Sequence, residues 1–232
     1  MAAQRQQPHV YSATAFRRPQ VAVEVVVFVV RQGRLGVVLV PSNEFSTAPR
    51  WALPTAVIED QPSLDDAIGE VIRPLLGAKV AKKRQVQTFD RLSDSRGRLV
   101  EIAWLTATRV DALLDATTEH TIGFPTRGSG TFEVRDRSGN ELHISAGQTE
   151  TVAAAIERLR ELVDTDGVEF DFLAEEFTLR DLHTVHEAVL GTSINYDSFR
   201  RRILTSGVVD PSGRLEQNVS HRPAELYRVR RR

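Results

Sequence analysis

The chain has 232 residues, 41% of them hydrophobic, and a formal net charge of −1. This length suits one large domain or two modest domains with real hydrophobic cores. Cysteine is absent, which excludes a disulfide framework and thiol chemistry. The apolar run Val21–Val30 is too short to span a bilayer, and residues 1–20 lack the apolar segment of a secretory signal. We therefore expect a cytoplasmic protein.

Residues 1–20 are expected to form a basic N-terminal arm rather than a packed element. They contain Arg5, Arg17 and Arg18 and no acidic residue. Two interpretations stay open: a disordered terminus, or an arm whose arginines follow the phosphate backbone of a nucleic acid.

The segment after the arm is predicted to contain mainly β-strands. Val21–Val30 is rich in β-branched residues, and Gln32-Gly33-Arg34 predicts a turn into a second strand, Leu35–Val40. The later predictions are strands at Val80–Arg91 and Leu99–Thr108 and a short helical turn at Val110–Asp115. Within the third strand, Lys82-Lys83-Arg84 is interpreted as a solvated patch.

A helix is predicted to begin after Ser63, which is a good N-cap. Asp65 and Asp66 follow in the first turn, where the helix dipole favours acidic side chains. The helix then presents one apolar stripe, formed by Leu64, Ile68, Ile72 and Leu75. An apolar segment, Trp51-Ala-Leu-Pro54, precedes it.

This loop and helix resemble the signature of the Nudix hydrolases, whose glutamates hold divalent cations for pyrophosphate hydrolysis. In the alignment, Ala56 stands for the opening glycine and Pro62 for the first glutamate. The later glutamate positions hold Val71, Pro74 and Leu75. Because these side chains offer no anionic oxygen, the resemblance implies a Nudix fold without catalytic residues, metal ligands or a cofactor. An ordinary amphipathic helix after an apolar loop is the alternative.

The chain between the strands and the second domain contains a predicted hairpin and a helix. Thr131–Arg135 and Glu141–Ser145 flank Ser138-Gly139-Asn140 and predict the hairpin. Thr149–Asp164 is the clearest helix, because its apolar residues recur at helical spacing. Asp164–Gly167 is predicted to be a turn at the domain boundary.

The last third of the chain has an uneven charge distribution. Residues 164–194 contain eight acidic residues and one basic residue, whereas residues 195–232 contain nine basic and four acidic residues. A basic end beside an acidic segment is typical of proteins that bind nucleic acids.

Two capped helices are predicted in this part of the chain. Thr178-Leu-Arg-Asp181 is similar to a capping box, and Gly191 can end the helix. Asn195 is a second N-cap, and Gly207 ends the second helix. Two helices joined by a short turn predict a helix-turn-helix, whose second helix reads DNA. The predicted wing consists of Val208-Val209, a turn at Asp210-Pro211-Ser212-Gly213 and a strand at Ala224–Val229.

The expected DNA-binding residues lie on the arm, on the second helix and near the wing. N-terminal residues of a reading helix approach base edges, and arginines bind phosphates or guanines. The predicted set is Arg5, Arg17, Arg18, Asn195, Tyr196, Ser198, Arg200, Arg201, Arg202, His221 and Arg222. An arginine run alone is more often a solvated face, but the capped helices and the wing favour DNA binding.

Three C-terminal segments resemble the winged helix of the NrtR family, the Nudix-related transcriptional regulators. These segments are Phe177–Leu182, Phe199–Leu204 and Arg222–Arg228. The resemblance implies a Nudix-like α/β/α sandwich at residues 21–164 and a winged helix-turn-helix domain at residues 165–232. It also implies a homodimeric bacterial repressor of NAD metabolism genes. Such a repressor binds a palindromic operator in double-stranded DNA and senses ADP-ribose or a related nucleotide.

The resemblance extends to two segments of the sensor domain, Trp51–Pro54 and Arg96-Gly97-Arg98. Arginines there are candidates for an anionic ligand, and the tryptophan for stacking on a base. Surface arginines and a core tryptophan are the alternative interpretation. The candidate effector-binding residues are Arg50, Trp51, Arg96 and Arg98.

Two other functions stay open at this point. Carboxylates remain near the degenerate box, namely Glu59, Asp60, Asp65, Asp66 and Glu70. An active pyrophosphohydrolase with non-standard metal ligands is therefore one alternative. A sensor of a sugar or another metabolite is the other. His183 and His186 lie three apart on one predicted helix, but without a third ligand we interpret them as packed or solvated rather than metal-binding.

Overall fold

The computed structural model describes residues 19–42, 51–61, 63–77, 82–93, 97–114, 119–127, 132–217 and 222–230. The strands are β1 (Gln20–Arg31), β2 (Arg34–Pro41), β3 (Trp51–Ala52), β4 (Thr55–Val57), β5 (Lys83–Ser93), β6 (Gly97–Thr108), β7 (Thr121–Arg127), β8 (Phe132–Arg135), β9 (Val209–Leu215) and β10 (Glu225–Val229). The helices are α1 (Leu64–Leu76), α2 (Ala146–Leu162), α3 (Leu179–Leu190) and α4 (Tyr196–Ser206). Short 3-10 helices span Val110–Ala112 and Val168–Phe172.

A mixed sheet with the strand order β5-β6-β1-β2-β7-β8 forms the first domain. Its central strand β1 runs parallel to β6 and antiparallel to β2. Alternate side chains of a strand point to opposite faces. Val25 and Val27 accordingly pack in the core beside α1, whereas Val26 and Phe28 pack in the core beside α2. A helix covers each face, which confirms the predicted α/β/α sandwich.

The predicted helix after Ser63 and the predicted turn between the first two strands, β1 and β2, are both confirmed. The Ser63 hydroxyl accepts a 3.2 Å hydrogen bond from the backbone N–H of Asp66 and caps α1. Between β1 and β2, Gln32 and Gly33 have φ angles of 52° and 72°. Two successive residues with positive φ are typical of the tight turns that join hairpin strands.

The chain after residue 119 folds differently from the prediction. β8 pairs with β7 and extends the main sheet. It meets its predicted partner segment, Glu141–Ser145, only through an isolated bridge between Arg135 and Glu141. The strand β7 was not predicted, because Gly123 and Pro125 interrupt the alternation of strand-forming residues.

The prediction of a solvated patch at Lys82-Lys83-Arg84 is wrong for Arg84, whereas Lys82 is exposed. Arg84 is 9% exposed, and its guanidinium binds Asp166 and Asp171. The acidic segment that opens the second domain thus neutralises a nearly buried arginine of β5. A single sequence pattern does not show this pairing, because the partners are 82 and 87 residues apart.

The wing is present, but its predicted turn at Asp210–Gly213 is not. Residues Asp210–Gly213 lie within β9, where Asp210 pairs with Arg228 and Pro211 with Tyr227. The wing has two strands, so β9 is an edge strand, and proline is tolerated at sheet edges.

The boundary between the domains is packed rather than open. Val168 and Phe172 follow the predicted boundary, and Val185 and Val189 lie on α3. All four belong to the same hydrophobic core as α2 and the first-domain sheet. A smaller core, which includes Phe177, Leu182, Phe199, Ile203 and Tyr227, holds the winged helix together. The second domain is therefore attached through a shared core.

The helix α2 begins earlier than predicted, because the hydroxyl of Ser145 accepts a hydrogen bond of 3.2 Å from Gln148 N. It ends at Leu162, two residues before the predicted end. Within the described ranges, the structure has no helix with the length and apolar character needed to cross a membrane.

Candidate nucleic-acid interface and effector site

The first helix of the helix-turn-helix, α3, is fixed by a capping box. The Thr178 hydroxyl accepts a 3.1 Å hydrogen bond from Asp181 N, and the Asp181 carboxylate accepts one of 3.0 Å from Thr178 N. Gly191 ends the helix with a φ of 67°, a conformation that favours glycine. The sequence predicted all of these features.

The turn between α3 and α4 is held by Glu187, which accepts a 2.8 Å hydrogen bond from Ile194 N. This backbone donor lowers the pKa of the Glu187 carboxyl. Asn195 then caps α4, because its Oδ1 accepts a 3.0 Å hydrogen bond from Ser198 N. The cap that the sequence predicted at Asn195 is therefore present, and contact of Asn195 with base edges stays a prediction.

The buried face of α4 packs on the two histidines of α3. The rings of His183 and His186 meet Phe199 edge-on, with centroids 5.1 and 4.8 Å away. The His183 Nε2 lies 2.8 Å from the carbonyl oxygen of Ile194. Packing of the pair thus fixes the angle between the two helices.

The outer face of α4 presents Ser198, Arg200 and Arg201 to solvent. Tyr196 is half-buried, and the Arg180 guanidinium lies 5.3 Å from its ring centroid. Arg200 and Arg201 are the exposed basic groups that the sequence predicted for phosphate or guanine contacts. A helix face of this kind can approach a DNA groove.

Arg202 has a different position from its two neighbours. Its Nη1 donates a 2.7 Å hydrogen bond to Oδ2 of Asp164, which lies just beyond the C-cap of α2. Arg202 is exposed like its two neighbours, but its guanidinium is already engaged with an acidic residue near the first domain. Its predicted contact with DNA stays a prediction.

A groove of about 690 Å³ lies between the start of α3, the start of α4 and the wing. Arg180, Arg200 and Arg222 contribute its basic groups, while Glu216 and Glu225 are among its acidic groups. Arg180 was not among the predicted DNA-binding residues. The structure places Arg180 near the ring of Tyr196, at the start of α4. The capping box located Arg180 in the first turn of α3, and that position was the available signal. The predicted residues Arg5, Arg17, Arg18 and His221 lie outside the described residues.

The two described candidates for the effector site lie on different strands. Trp51 of β3 is half-buried and packs against the core beside α2. Arg98, at the start of β6, is 60% exposed in its side chain and binds both carboxylate oxygens of Asp90. This pairing lowers the pKa of the Asp90 carboxyl. Arg50 and Arg96 lie outside the described residues.

A buried polar cluster near these strands was missed by the sequence reasoning. Glu24 of β1 is fully buried, and its Oε1 accepts a 3.0 Å hydrogen bond from Gln148 Nε2 of α2. Its Oε2 has no hydrogen-bond partner among the residues that the structure describes. Burial raises the pKa of the Glu24 carboxyl, and the charge of Glu101 raises it further. The available signal was one acidic residue inside an apolar strand.

Arg91 extends the same cluster toward the first turn of α2. Its Nε donates a 2.8 Å hydrogen bond to Glu101 Oε2, and its Nη2 donates one of 2.8 Å to the carbonyl oxygen of Gly147. The cluster thus ties β1, β5 and β6 to the N-terminus of α2.

The positions aligned with the Nudix glutamates are occupied by apolar residues. Leu75 is 1% exposed, Val71 packs against the core beside α1, and Pro74 lies within the helix. Pro62 lies outside the described residues. Leu75 in particular fills the core and offers no ligand atom.

The carboxylates near the box have other partners. Asp65 binds Lys83 at 2.7 Å, and Glu70 accepts a 3.0 Å hydrogen bond from Gln61 Nε2. In the described part of the chain, one group of three possible metal-ligating residues comes together, and it consists of Asp164, Glu169 and His186. That group lies at the domain boundary, away from the box.

Known proteins match the chain in both sequence and structure. Residues 169–229 match the NrtR DNA-binding winged helix domain. The ADPR responsive transcriptional repressor NtrR of Acinetobacter baylyi is 23% identical over 223 residues, which cover 94% of this chain and 85% of that protein.

Solved structures match nearly the whole chain. Shewanella oneidensis NrtR matches with a TM-score of 0.71 and 22% identity, covering 90% of this chain and 94% of that one. The same protein complexed with a 27mer DNA gives a TM-score of 0.70 at 23% identity, with coverages of 90% and 93%. A MutT/nudix family protein from Enterococcus faecalis gives 0.68 at 18% identity, with coverages of 97% and 90%. The two-domain fold is therefore shared with these proteins.

Proposed function

We propose that the chain is a member of the NrtR family, a homodimeric cytoplasmic repressor that releases DNA when it binds ADP-ribose or a related nucleotide. The main support is that the matched winged helix domain presents Arg200 and Arg201 on the exposed face of its second helix. Its targets are proposed to be NAD metabolism genes, read at a palindromic operator with one winged helix on each half-site.

DNA binding is supported by the arrangement of basic groups around α4. Arg180, Arg200 and Arg222 line one groove, and Arg201 is exposed beside it. The positive charge suits the phosphate backbone, which supplies most of the affinity of such interfaces. The solved complex of Shewanella oneidensis NrtR with a 27mer DNA supports the same use of this domain.

Sensing of ADP-ribose is supported by the relative from Acinetobacter baylyi, whose name describes an ADPR responsive repressor. In this chain Trp51 would stack on the base, and Arg98 would bind the pyrophosphate together with Arg50 and Arg96. A ligand can shift the DNA-binding equilibrium only through unequal affinity for the two states of the protein.

We also propose that the chain has no pyrophosphohydrolase activity. Hydrolysis in Nudix enzymes needs carboxylates that hold metal ions against the substrate. Leu75 and Val71 offer none, and Asp65 and Glu70 are engaged with Lys83 and Gln61. Incubation with ADP-ribose and Mg²⁺ is expected to release no AMP. Release of AMP would favour the alternative, a hydrolase with non-standard metal ligands.

Titration calorimetry with ADP-ribose tests the effector site. Trp51→Ala is expected to weaken binding by about 10-fold, which corresponds to the loss of one stacked base. Arg98→Ala is expected to weaken it through the loss of an anion contact. The matched control is Arg109→Ala, because Arg109 is an exposed arginine at the other end of β6 that also pairs with an aspartate, Asp111.

The same titrations distinguish the proposed effector site from two alternatives. Unchanged affinity in Trp51→Ala and Arg98→Ala would move the nucleotide site elsewhere. Binding of a sugar phosphate but not of ADP-ribose would identify a regulator with a different effector.

A further inference from the structure

Asp164 occupies an unusual position at the end of the first domain. It lies two residues after the last residue of α2, Leu162, and has a φ of 61°, in the left-handed region. Its carboxylate bonds to two elements of the winged helix at once. Oδ2 accepts a 2.7 Å hydrogen bond from Arg202 of α4, and Oδ1 lies 3.2 Å from Nε2 of His186 of α3.

The surroundings hold this carboxylate in place. His186 is fully buried, and its Nδ1 lies 2.9 Å from the carbonyl oxygen of Leu182. Both ring nitrogens therefore lie within hydrogen-bond distance of an oxygen, one in α3 and one in Asp164. Glu169, which is 3% exposed, accepts a hydrogen bond of 3.4 Å from the backbone N–H of Asp164.

The other end of α2 meets the polar cluster of the sensor. Gln148 in its first turn bonds to the buried Glu24, and the Gly147 carbonyl accepts from Arg91. The helix has 17 residues. At a rise of about 1.5 Å per residue, such a helix is roughly 25 Å long. One rigid element thus contacts the sensor sheet at one end and the reading helix, through Asp164, at the other.

We infer that Asp164 is a positioning residue that couples effector binding to DNA reading through its ion pair with Arg202. This inference rests on the proposed function. Displacement of α2 by a ligand in the sensor would move Asp164, and Arg202 would transmit that movement to α4. Coupling between two sites requires a physical element that both sites bias, and α2 with its terminal aspartate has contacts at both ends.

The neighbouring arginine provides an internal comparison. Arg201 is exposed on the same helix and has no ion pair to the first domain among the described residues. Arg201 would therefore contribute to DNA affinity in both effector states, whereas Arg202 would determine how strongly the two states differ.

Fluorescence anisotropy with an operator fragment, with and without ADP-ribose, tests the inference. The measured quantity is the ratio of the two Kd values. For the wild type we expect a ratio of at least about 5, the lower end of common allosteric effects. Asp164→Asn removes the charge and keeps the shape. Asp164→Gly removes the side chain and still accepts the positive φ.

Both Asp164 variants and Arg202→Gln are expected to bring the ratio to within about twofold of 1, whereas Arg201→Ala weakens both Kd values and keeps the wild-type ratio. The double variant Asp164→Asn/Arg202→Gln should behave like either single variant, because both remove one interaction. Calorimetry on the free Asp164→Gly variant should show that ADP-ribose still binds.

A wild-type ratio in Asp164→Gly would overturn the coupling role while leaving the proposed function intact. Loss of ADP-ribose binding in that variant would also overturn it, since Asp164 would then be a residue of the sensor fold. Absence of DNA binding or of an ADP-ribose effect in the wild type would instead contradict the proposed function.

Discussion

Arg84 of β5 donates a hydrogen bond of 2.8 Å from Nη1 to Oδ2 of Asp171, in the segment that opens the second domain. The same guanidinium also binds Asp166. With the hydrophobic core shared by α2 and α3, these bonds attach the winged helix firmly to the sensor. A ligand in the sensor therefore acts on a packed boundary rather than on a free linker.

Arg84→Met is expected to lower the free energy of unfolding by about 1–3 kcal/mol, because it leaves Asp171 without its main partner in a partly buried place. Urea denaturation measures this loss. The matched control is Lys82→Met, since Lys82 lies 3.7 Å from the same carboxylate but is 69% exposed in its side chain. An exposed pair of this kind contributes less than about 1 kcal/mol. Equal losses in the two variants would contradict a specific role for Arg84.

Glu24→Gln is expected to change how stability depends on pH. Burial raises the pKa of Glu24 in the folded chain above its ordinary value of 4.5. Between 4.5 and the raised folded pKa, the folded state binds more protons than the unfolded state, so wild-type stability falls as pH rises through this window. Glutamine keeps the shape of the side chain and does not titrate.

The difference in unfolding free energy between Glu24→Gln and the wild type should therefore shift in favour of the variant as pH rises. Urea denaturation at about pH 5 and about pH 8 measures this shift. Glu101, Arg91, Gln148 and Thr151, which face Glu24, are the same in both proteins and cancel in the comparison. A difference that stays constant with pH would show that Glu24 is not a buried titrating group.

Thr178→Ala is expected to cost about 1 kcal/mol of stability, because it removes the hydroxyl that caps α3. The control Thr178→Ser keeps the hydroxyl that accepts from Asp181 N and should stay close to the wild type. Thermal unfolding compares the three proteins. A serine variant as unstable as the alanine variant would assign the loss to the missing methyl group instead of the cap.

Arg201→Ala is expected to weaken DNA binding and to reduce the slope of log K against log salt by roughly 1, since one phosphate contact is lost. Anisotropy titrations at several salt concentrations measure both quantities. Arg158→Ala is the control, because Arg158 is an exposed arginine on α2 that pairs with Glu161 and lies outside the winged helix. If the two variants behave alike, α4 does not contact the backbone of DNA.

Much of the fold was predictable because its signals are local. The N-caps Ser63, Thr178 and Asn195 and the terminal Gly191 are read from short patterns, and each is present in the structure. The β-branched run of β1 likewise predicts a buried central strand. These features depend on hydrogen bonds and spacings within one turn of helix or one strand.

The features that were missed depend on contacts between distant parts of the chain. Arg84 looks like a surface arginine in sequence but is nearly buried against acidic partners, and the ion pair of the exposed Arg202 with Asp164 joins residues 38 apart. The Oε1 atom of Glu24 accepts a hydrogen bond from Gln148, which is 124 residues away. The pairing of β8 with β7, instead of with the segment that follows β8, likewise depends on the packing of the whole sheet.

Selection of genomic DNA fragments by the purified protein, repeated with ADP-ribose, would be the most direct single measurement. We expect enrichment of a palindrome beside NAD metabolism genes, and loss of that enrichment when ADP-ribose is added. Enrichment of a palindrome beside other genes, unaffected by ADP-ribose, would agree with a DNA-binding regulator but contradict the proposed effector. If no sequence is enriched at moderate salt, the result would contradict sequence-specific DNA binding by α4, on which the proposed function depends.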